Sequence, residues 1–330
     1  MCSFADFRKI IFISFLFAVG TTCIFASPKD EQDHIKSVSI VDDCFQDGQG
    51  LFYQIAGKVA VVTTDRLERE YRHLSKKVTI PAKIKHGNDI WPVAAVDMSA
   101  FQFCTAVDSF YVSRKNKYLS ARDGILYNKD FTQLIKYPRI RKGTDFTVPA
   151  SVKKIGALAF WGNGDLRSVD LSNSVIEIGM AAFRDCQKLS ELKNVQSVEK
   201  LDTACLAYTA INRLLLPAVQ SVYCRAFLGC DYLQEIRLGA AVKVLSEDCL
   251  FIESSSEGCI ENLKSYYIEA VEPPVITDGY TRITDGYCEH YRREYEPVLY
   301  VPAESVRAYK AILDFYFPDI EGIPGSSASW

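Results

Sequence analysis

The chain has 330 residues, 48% of them hydrophobic and 24% charged, with a formal charge of −3. This is the composition of a folded chain with a sizeable core, not of a disordered or collagen-like one. The small negative charge argues against nucleic acid or another polyanion as partner, since phosphate contacts need concentrated Lys and Arg, and no run of like charge marks a tail or a membrane-surface patch.

Residues 1–26 read as a secretory signal. Arg8 and Lys9 supply the positive start, Ile10 to Val19 the apolar stretch, and Ile24-Phe25-Ala26 a cleavage site after Ala26. The apolar run is too short for a transmembrane span. The rival reading is a lipid anchor at Cys23, for which Gly20-Thr21-Thr22 is a poor lead-in. Cleavage removes Asp6, Arg8 and Lys9, a net +1, and takes the charge from −3 to −4.

The body of the chain repeats. Val152-Lys-Lys-Ile155-Gly-Ala-Leu-Ala159-Phe160 has the same plan as Val175-Ile-Glu-Ile178-Gly-Met-Ala-Ala182-Phe183. Val219 to Phe227 and Val242 to Leu250 follow it with Val222 and Leu245 in the Ile place. The position held by Phe160, Phe183, Leu206, Phe227 and Leu250 recurs at spacings of 23, 23, 21 and 23, and the shorter step is expected to be absorbed in a loop. An earlier copy ends at Ala100-Phe101. A period of this size means stacked coils, because a lone coil cannot offset its own ordering entropy and needs a neighbour to share burial.

A short alternating strand pattern follows each copy. Nine such strands are legible, centred on Thr79, Tyr111, Thr147, Asp170, Lys193, Leu215, Arg237, Tyr267 and Tyr300. Pro81, Pro149, Pro217 and Pro302 close several of them without removing a ladder hydrogen bond from the middle. These are parallel strands of a solenoid, joined by irregular outer turns. Each central side chain should point away from the core, and at about 4.8 Å per strand the nine make an outward column about 40 Å long. This column is the candidate contact surface for a protein or glycan macromolecule.

Three residues beyond the Phe position runs a second ladder: Cys104, Asn163, Cys186, Thr209, Cys230 and Glu253. Small side chains with a donor or acceptor suit a tight corner whose backbone groups need partners. Cys104, Cys186 and Cys230 are therefore expected to be buried corner thiols, and Cys205 and Cys249 to fill the small Ala position. Cys44, Cys259 and Cys288 fall outside the repeat and are the candidates for a disulfide. Glu253 breaks the ladder, and a Ser/Glu/Gly-rich loop follows it. The 280–295 segment is dense in Tyr and Arg, and stays open between a functional loop and a poorly ordered lid. Glu304 to Tyr316 is expected to be a helix with Val306, Tyr309, Ile312 and Leu313 on its inner face, covering the end of the solenoid.

The histidines are His34, His73, His86 and His290, none spaced with a second ligand as a zinc hydrolase requires. No nucleophile elbow, phosphate loop or paired-Cys metal spacing is present, so no catalytic residue, metal or cofactor is assigned.

Ile178-Gly179, Ala182-Phe183, Cys186 and Leu189 together resemble the repeat of the BspA-type leucine-rich-repeat family of bacterial surface proteins. Asp123 to Pro138 is similar to a hairpin insertion these proteins carry, Leu51 to Ile55 with Val59 to Thr63 to a hairpin before the first repeat, and Tyr300 to Lys310 to their closing segment. The copy at Leu201 to Thr209 departs from the family by lacking the Gly and Phe. The resemblance implies a mostly β, leucine-rich-repeat solenoid. With the residue patterns, it divides the chain into an N-terminal segment with a β-hairpin cap over 27–77, a solenoid over 78–302 with a hairpin insertion at 113–143, a capping helix over 303–322 and a disordered tail over 323–330. It also implies adhesion to host matrix or other cells, or capture of surface macromolecules, without catalysis. The alternative is a structural or assembly component of a surface complex.

Overall fold

A computed structural model describes residues 44–64, 74–250, 262–277, 297–314 and 316–324. The signal segment, the Ser/Glu/Gly-rich stretch after Glu253, the 280–295 segment, Cys259 and Cys288 lie outside them, as do residues 325–330 of the tail.

The N-terminal part is a small sheet beside the first two coil strands. Its elements are β1 (Phe45–Gln46), β2 (Phe52–Ala56), β3 (Val59–Thr63), β4 (Lys77–Ile80), β5 (Lys83–His86), β6 (Asp89–Val96) and β7 (Ser109–Val112). Strands β2 and β3 form an antiparallel hairpin around Gly57, whose φ of +59° suits a residue without Cβ. β3 then pairs parallel with β6, giving the order β1-β2-β3-β6-β5, while β4 pairs parallel with β7. Tyr53, Val62, Val78, Ile80, Val96, Phe101 and Phe110 form one core here. Buried Asn116 ties the region together: its Nδ2 donates to the carbonyls of Pro81 and Val93, and its Oδ1 accepts from the amides of Tyr118 and Leu119.

An antiparallel meander follows, β8 (Leu119–Arg122), β9 (Ile125–Asn128) and β10 (Gln133–Lys136). The regular coils come next: β11 (Asp145–Thr147), β12 (Lys154–Ile155), β13 (Ser168–Asp170), β14 (Glu177–Ile178), β15 (Glu191–Lys193), β16 (Lys200–Leu201), β17 (Arg213–Leu216), β18 (Ser221–Val222), β19 (Glu235–Leu238) and β20 (Val244–Ser246). The end comprises β21 (Ser265–Ile268), β22 (Val275–Thr277), β23 (Val298–Val301), the helix α1 (Val306–Leu313) and β24 (Ile320–Gly322).

Odd-numbered strands from β11 to β23 form the front of the solenoid and even-numbered strands from β12 to β22 its rear. The rear strands join β10, β9 and β8 in a nine-stranded sheet, parallel from β10 onward. Sequence reading assigned these Ile-Gly segments to irregular turns, because strands two residues long show no alternation. They are strands because Ile155, Ile178, Leu201, Val222 and Leu245 stack inward at one height, all fully buried. At Gly179 a Cβ would lie 2.8 Å from the Ile155 carbonyl oxygen of the coil before, so a side chain there would force a shift, whereas later coils carry Asp202 and Tyr223 at this place.

A third ladder runs through the corner. Phe160 donates its amide to Ala182, Phe183 to Cys205 and Leu206 to Ala226, at 2.8 to 3.0 Å. Inside this corner the rings of Phe160 and Phe183 stack at 4.7 Å. The corner thiols act as donors: Cys186 Sγ reaches the Phe160 carbonyl and Cys230 Sγ the Leu206 carbonyl, both at 3.1 Å. Asn163 fills the same place with Nδ2 on the Arg139 carbonyl, 3.1 Å, and Thr209 with Oγ1 on that of Leu206, 2.9 Å.

One expectation is corrected. The helix ends at Leu313, and Ile312 is 48% exposed instead of packed; the buried stripe is Ser305, Tyr309, Leu313 and then Phe317, a four-residue spacing that leaves Ile312 outside. The short coil step does fall outside the strands, as expected, with one residue missing before Ile211 and one after Leu216, but it interrupts the front ladder. From the corner position to the first strand Leu, the copies take six residues (Phe160 to Leu166, Phe183 to Leu189, Phe227 to Leu233), but Leu206 to Ile211 takes five. Ala210 instead bonds the Leu189 carbonyl at 2.9 Å, and β17 fails to pair with β15.

Candidate functional site

The front strands place the nine central residues on the outside and in register. Thr79 pairs with Tyr111, Thr147 with Asp170, and Asp170 with Lys193. Leu215 pairs with Arg237, Arg237 with Tyr267, and Tyr267 with Tyr300. The column is nevertheless divided, because the front consists of three sheets: β4-β7, β11-β13-β15 and β17-β19-β21-β23-β24. The first break is at the meander, where the Phe110 amide turns to Gly124 and not to a following coil. The second is the shortened coil before β17. A continuous column of nine is thus replaced by groups of two, three and four, the last extended by Glu321, which pairs with Tyr300.

The members differ in how freely they meet solvent. Tyr111 is 45% exposed, and Thr79, Thr147 and Lys193 are exposed. Asp170 is held within the surface by its neighbours: Oδ1 accepts from the Ser172 amide at 2.7 Å and from Asn194 Nδ2 at 2.7 Å. Arg237 is more enclosed still, its side chain 13% exposed. Its guanidinium lies 4.1 Å over the Tyr267 ring, and Tyr267 stacks on Tyr300 at 4.8 Å with planes 18° apart. Burial raises the Tyr300 phenol pKa, with Glu321 and Tyr267 adding to the shift.

Charged residues outside the central positions complete this patch. Arg213 Nη2 meets Glu235 Oε1 at 3.0 Å, Arg237 Nε lies 3.9 Å from the same oxygen, and Arg237 Nη1 lies 3.5 Å from Glu269 Oε1. Partial burial raises the Glu269 carboxyl pKa, and Arg237 opposes that shift. Arg213, Glu235 and Glu269 flank the strand centres, so reading one residue per strand missed them.

Where the front ladder breaks, a groove of about 300 Å³ opens between β15 and β17, bordered by Leu192, Asn194, Arg213, Leu215 and Pro217. Its sequence signal was the five-residue step from Leu206 to Ile211. The rear face has a different character. Lys154 and Lys200 both reach Glu177 Oε1, at 3.0 and 3.2 Å, and although burial acts the other way they hold that carboxyl pKa down. Among the described residues no three His, Cys, Asp or Glu side chains are placed to hold a metal. No helix among them is long and apolar enough to cross a membrane.

Coils of about 23 residues with a strand ladder on each side and a Phe/Cys corner form a leucine-rich-repeat solenoid. Residues 137–256, 120 of the 330, match six copies of the BspA type leucine rich repeat region, so the chain carries that repeat. The crystal structure of the pneumococcal vaccine antigen PcpA is similar in fold, with a TM-score of 0.51 at 16% identity over 86% of this chain and 100% of that one. A leucine-rich cell surface protein from Faecalibacterium prausnitzii A2-165 aligns at a TM-score of 0.44 and 16% identity, over 74% of this chain and 97% of that one. A leucine-rich repeat protein from Eubacterium ventriosum ATCC 27560 aligns at 0.39 and 21%, over 55% of each chain. No curated protein matches the sequence.

Proposed function

We propose that this chain is an exported, noncatalytic binding protein that holds a host or cell-surface protein or glycan through the front face of its solenoid. The observation that carries the reading is the patch of Leu215, Arg237, Tyr267 and Tyr300. Four coils set these side chains in register on one outward face, with the Arg–Tyr–Tyr stack already ordered. Aromatic and Arg side chains fixed before contact bury large areas at low entropy cost, which makes them anchors in protein interfaces. Tyr111, Thr147, Asp170 and Lys193 extend the face toward the N-terminal end. Export rests on the signal features of residues 1–26, and the family resemblance supports presentation at the cell surface.

The test is capture from panels of immobilised host-matrix proteins and polysaccharides by the protein lacking residues 1–26. Capture of a panel member that is lost on combining Tyr111→Ala with Tyr267→Ala and Tyr300→Ala, at unchanged thermal stability, supports the reading. No capture, together with a stable homo-oligomer on a sizing column, replaces it with the assembly role.

A further inference from the structure

The break in the front ladder leaves two strand edges facing each other across a groove. In a parallel sheet, alternate residues turn their backbone groups to opposite neighbours. The Glu191 amide donates to Arg167 and the Lys193 carbonyl accepts from Leu171, so these two residues are committed to β13 and Leu192 faces the other way. On β17, the carbonyls of Asn212 and Leu216 accept from Gln234 and Gly239, so Arg213 and Leu215 face back toward β15. No ladder joins β15 to β17, and Leu192, Arg213 and Leu215 all border the groove. The Ala210–Leu189 hydrogen bond pins the two coils together at one end, and the groove runs from there toward Asn194 and Pro217.

The geometry points to an extended peptide of the partner lying in this groove, with its backbone bonded to Leu192 on one wall and to Arg213 and Leu215 on the other. Open strand edges recognise extended backbone by main-chain hydrogen bonds, with side-chain pockets adding selectivity. A volume of about 300 Å³ is at the small end for ligand sites. That suits a segment of about three residues, the length of β15. The charges at the groove are already matched, Lys193 to Glu191 at 3.2 Å and Arg213 to Glu235 at 3.0 Å. The favoured segment is therefore uncharged, with an apolar side chain directed at Leu192, Leu214 and Pro217. This inference deepens the front-face reading and rests on it for the nature of the partner.

A displayed library of random hexapeptides, selected on the whole protein lacking its first 26 residues, tests it. Uncharged, strand-forming peptides are expected to be enriched. Inserting one Ala between Thr209 and Ala210 restores the six-residue step, lets β17 pair with β15, and is expected to weaken those peptides at least tenfold. The Tyr111→Ala, Tyr267→Ala, Tyr300→Ala protein should bind them unchanged, which separates the groove from the rest of the front face. Should the insertion disturb folding, N-methylating alternate amides of a selected peptide gives the same answer on the unaltered protein: one phase loses at least tenfold, the other little. An unenriched library, equal binding to the insertion variant, or equal loss in both methylation phases overturns the proposal.

Discussion

The guanidinium of Arg237 lies 4.1 Å over the ring of Tyr267, and two carboxylates, Glu235 and Glu269, stand within 4 Å of it. The same side chain therefore orders the aromatic stack and neutralises two partly buried acids. Replacing Arg237 with Ala should lower stability by about 1–2 kcal/mol, through loss of the cation–π contact and of the counter-charge beside two partly buried acids. Tyr300→Ala, at the outer end of the stack, should change stability by about 0.5 kcal/mol or less. Chemical denaturation of the two variants checks the contrast; equal losses would mean that Arg237 is a surface charge only.

The corner holds the stack of coils together. Phe183 is fully buried, stacks on Phe160, and sends its amide to Cys205. Phe183→Ala should cost about 3–5 kcal/mol through lost burial and the cavity left behind. Gly179→Ala should destabilise by another route, since its Cβ would press on the Ile155 carbonyl and push neighbouring coils apart. Thermal unfolding should show both variants melting well below the parent.

The buried thiols should be chemically silent. Burial pushes the Cys186 thiol up to about 12 and raises that of Cys205 well above its ordinary range. Because the thiolate is the reactive form, thiol reagents should modify these two only as fast as the protein opens. Mass spectrometry after a timed alkylation should find them unlabelled in native protein and labelled in denaturant.

Lys136 supplies a pH signature. Its side chain is buried, with Nζ donating to the Leu158 carbonyl, and Asp97, Cys104 and Arg139 are the ionisable groups around it. Burial lowers its pKa to about 7 from the ordinary 10.5. Between those values the unfolded chain binds a proton that the folded chain does not, so stability should rise with pH across this window and be independent of Lys136 outside it. Lys136→Met should remove the rise. Denaturation midpoints measured from pH 6 to 10.5 for both proteins check the sign.

The strands and the corner were legible because each position recurs with one chemistry: Ile155 with Ile178, Phe160 with Phe183, Cys186 with Cys230. Outward positions on the front followed from two-residue alternation, which the pleat obeys. The rear ladder was hidden, since Lys154–Ile155 and Glu177–Ile178 are too short to display a period. The division of the column was visible only as the missing residue between Leu206 and Ile211, whose effect depends on whether a loop or a strand takes up the strain. Burial of Arg237 was not legible at all, because Glu235 shares its strand but Glu269 comes from the coil after it. Whether an Arg is a free contact or an internal tie depends on such neighbours.

The most direct test of a front-face binding function compares two surface variants against whichever panel member the protein captures. One carries Tyr111→Ala, Tyr267→Ala and Tyr300→Ala on the front; the other carries Lys154→Ala, Glu177→Ala and Lys200→Ala on the rear. Affinities measured by surface plasmon resonance should fall at least tenfold for the front variant and stay within twofold for the rear variant, with both proteins folded. Loss confined to the rear variant would contradict the account.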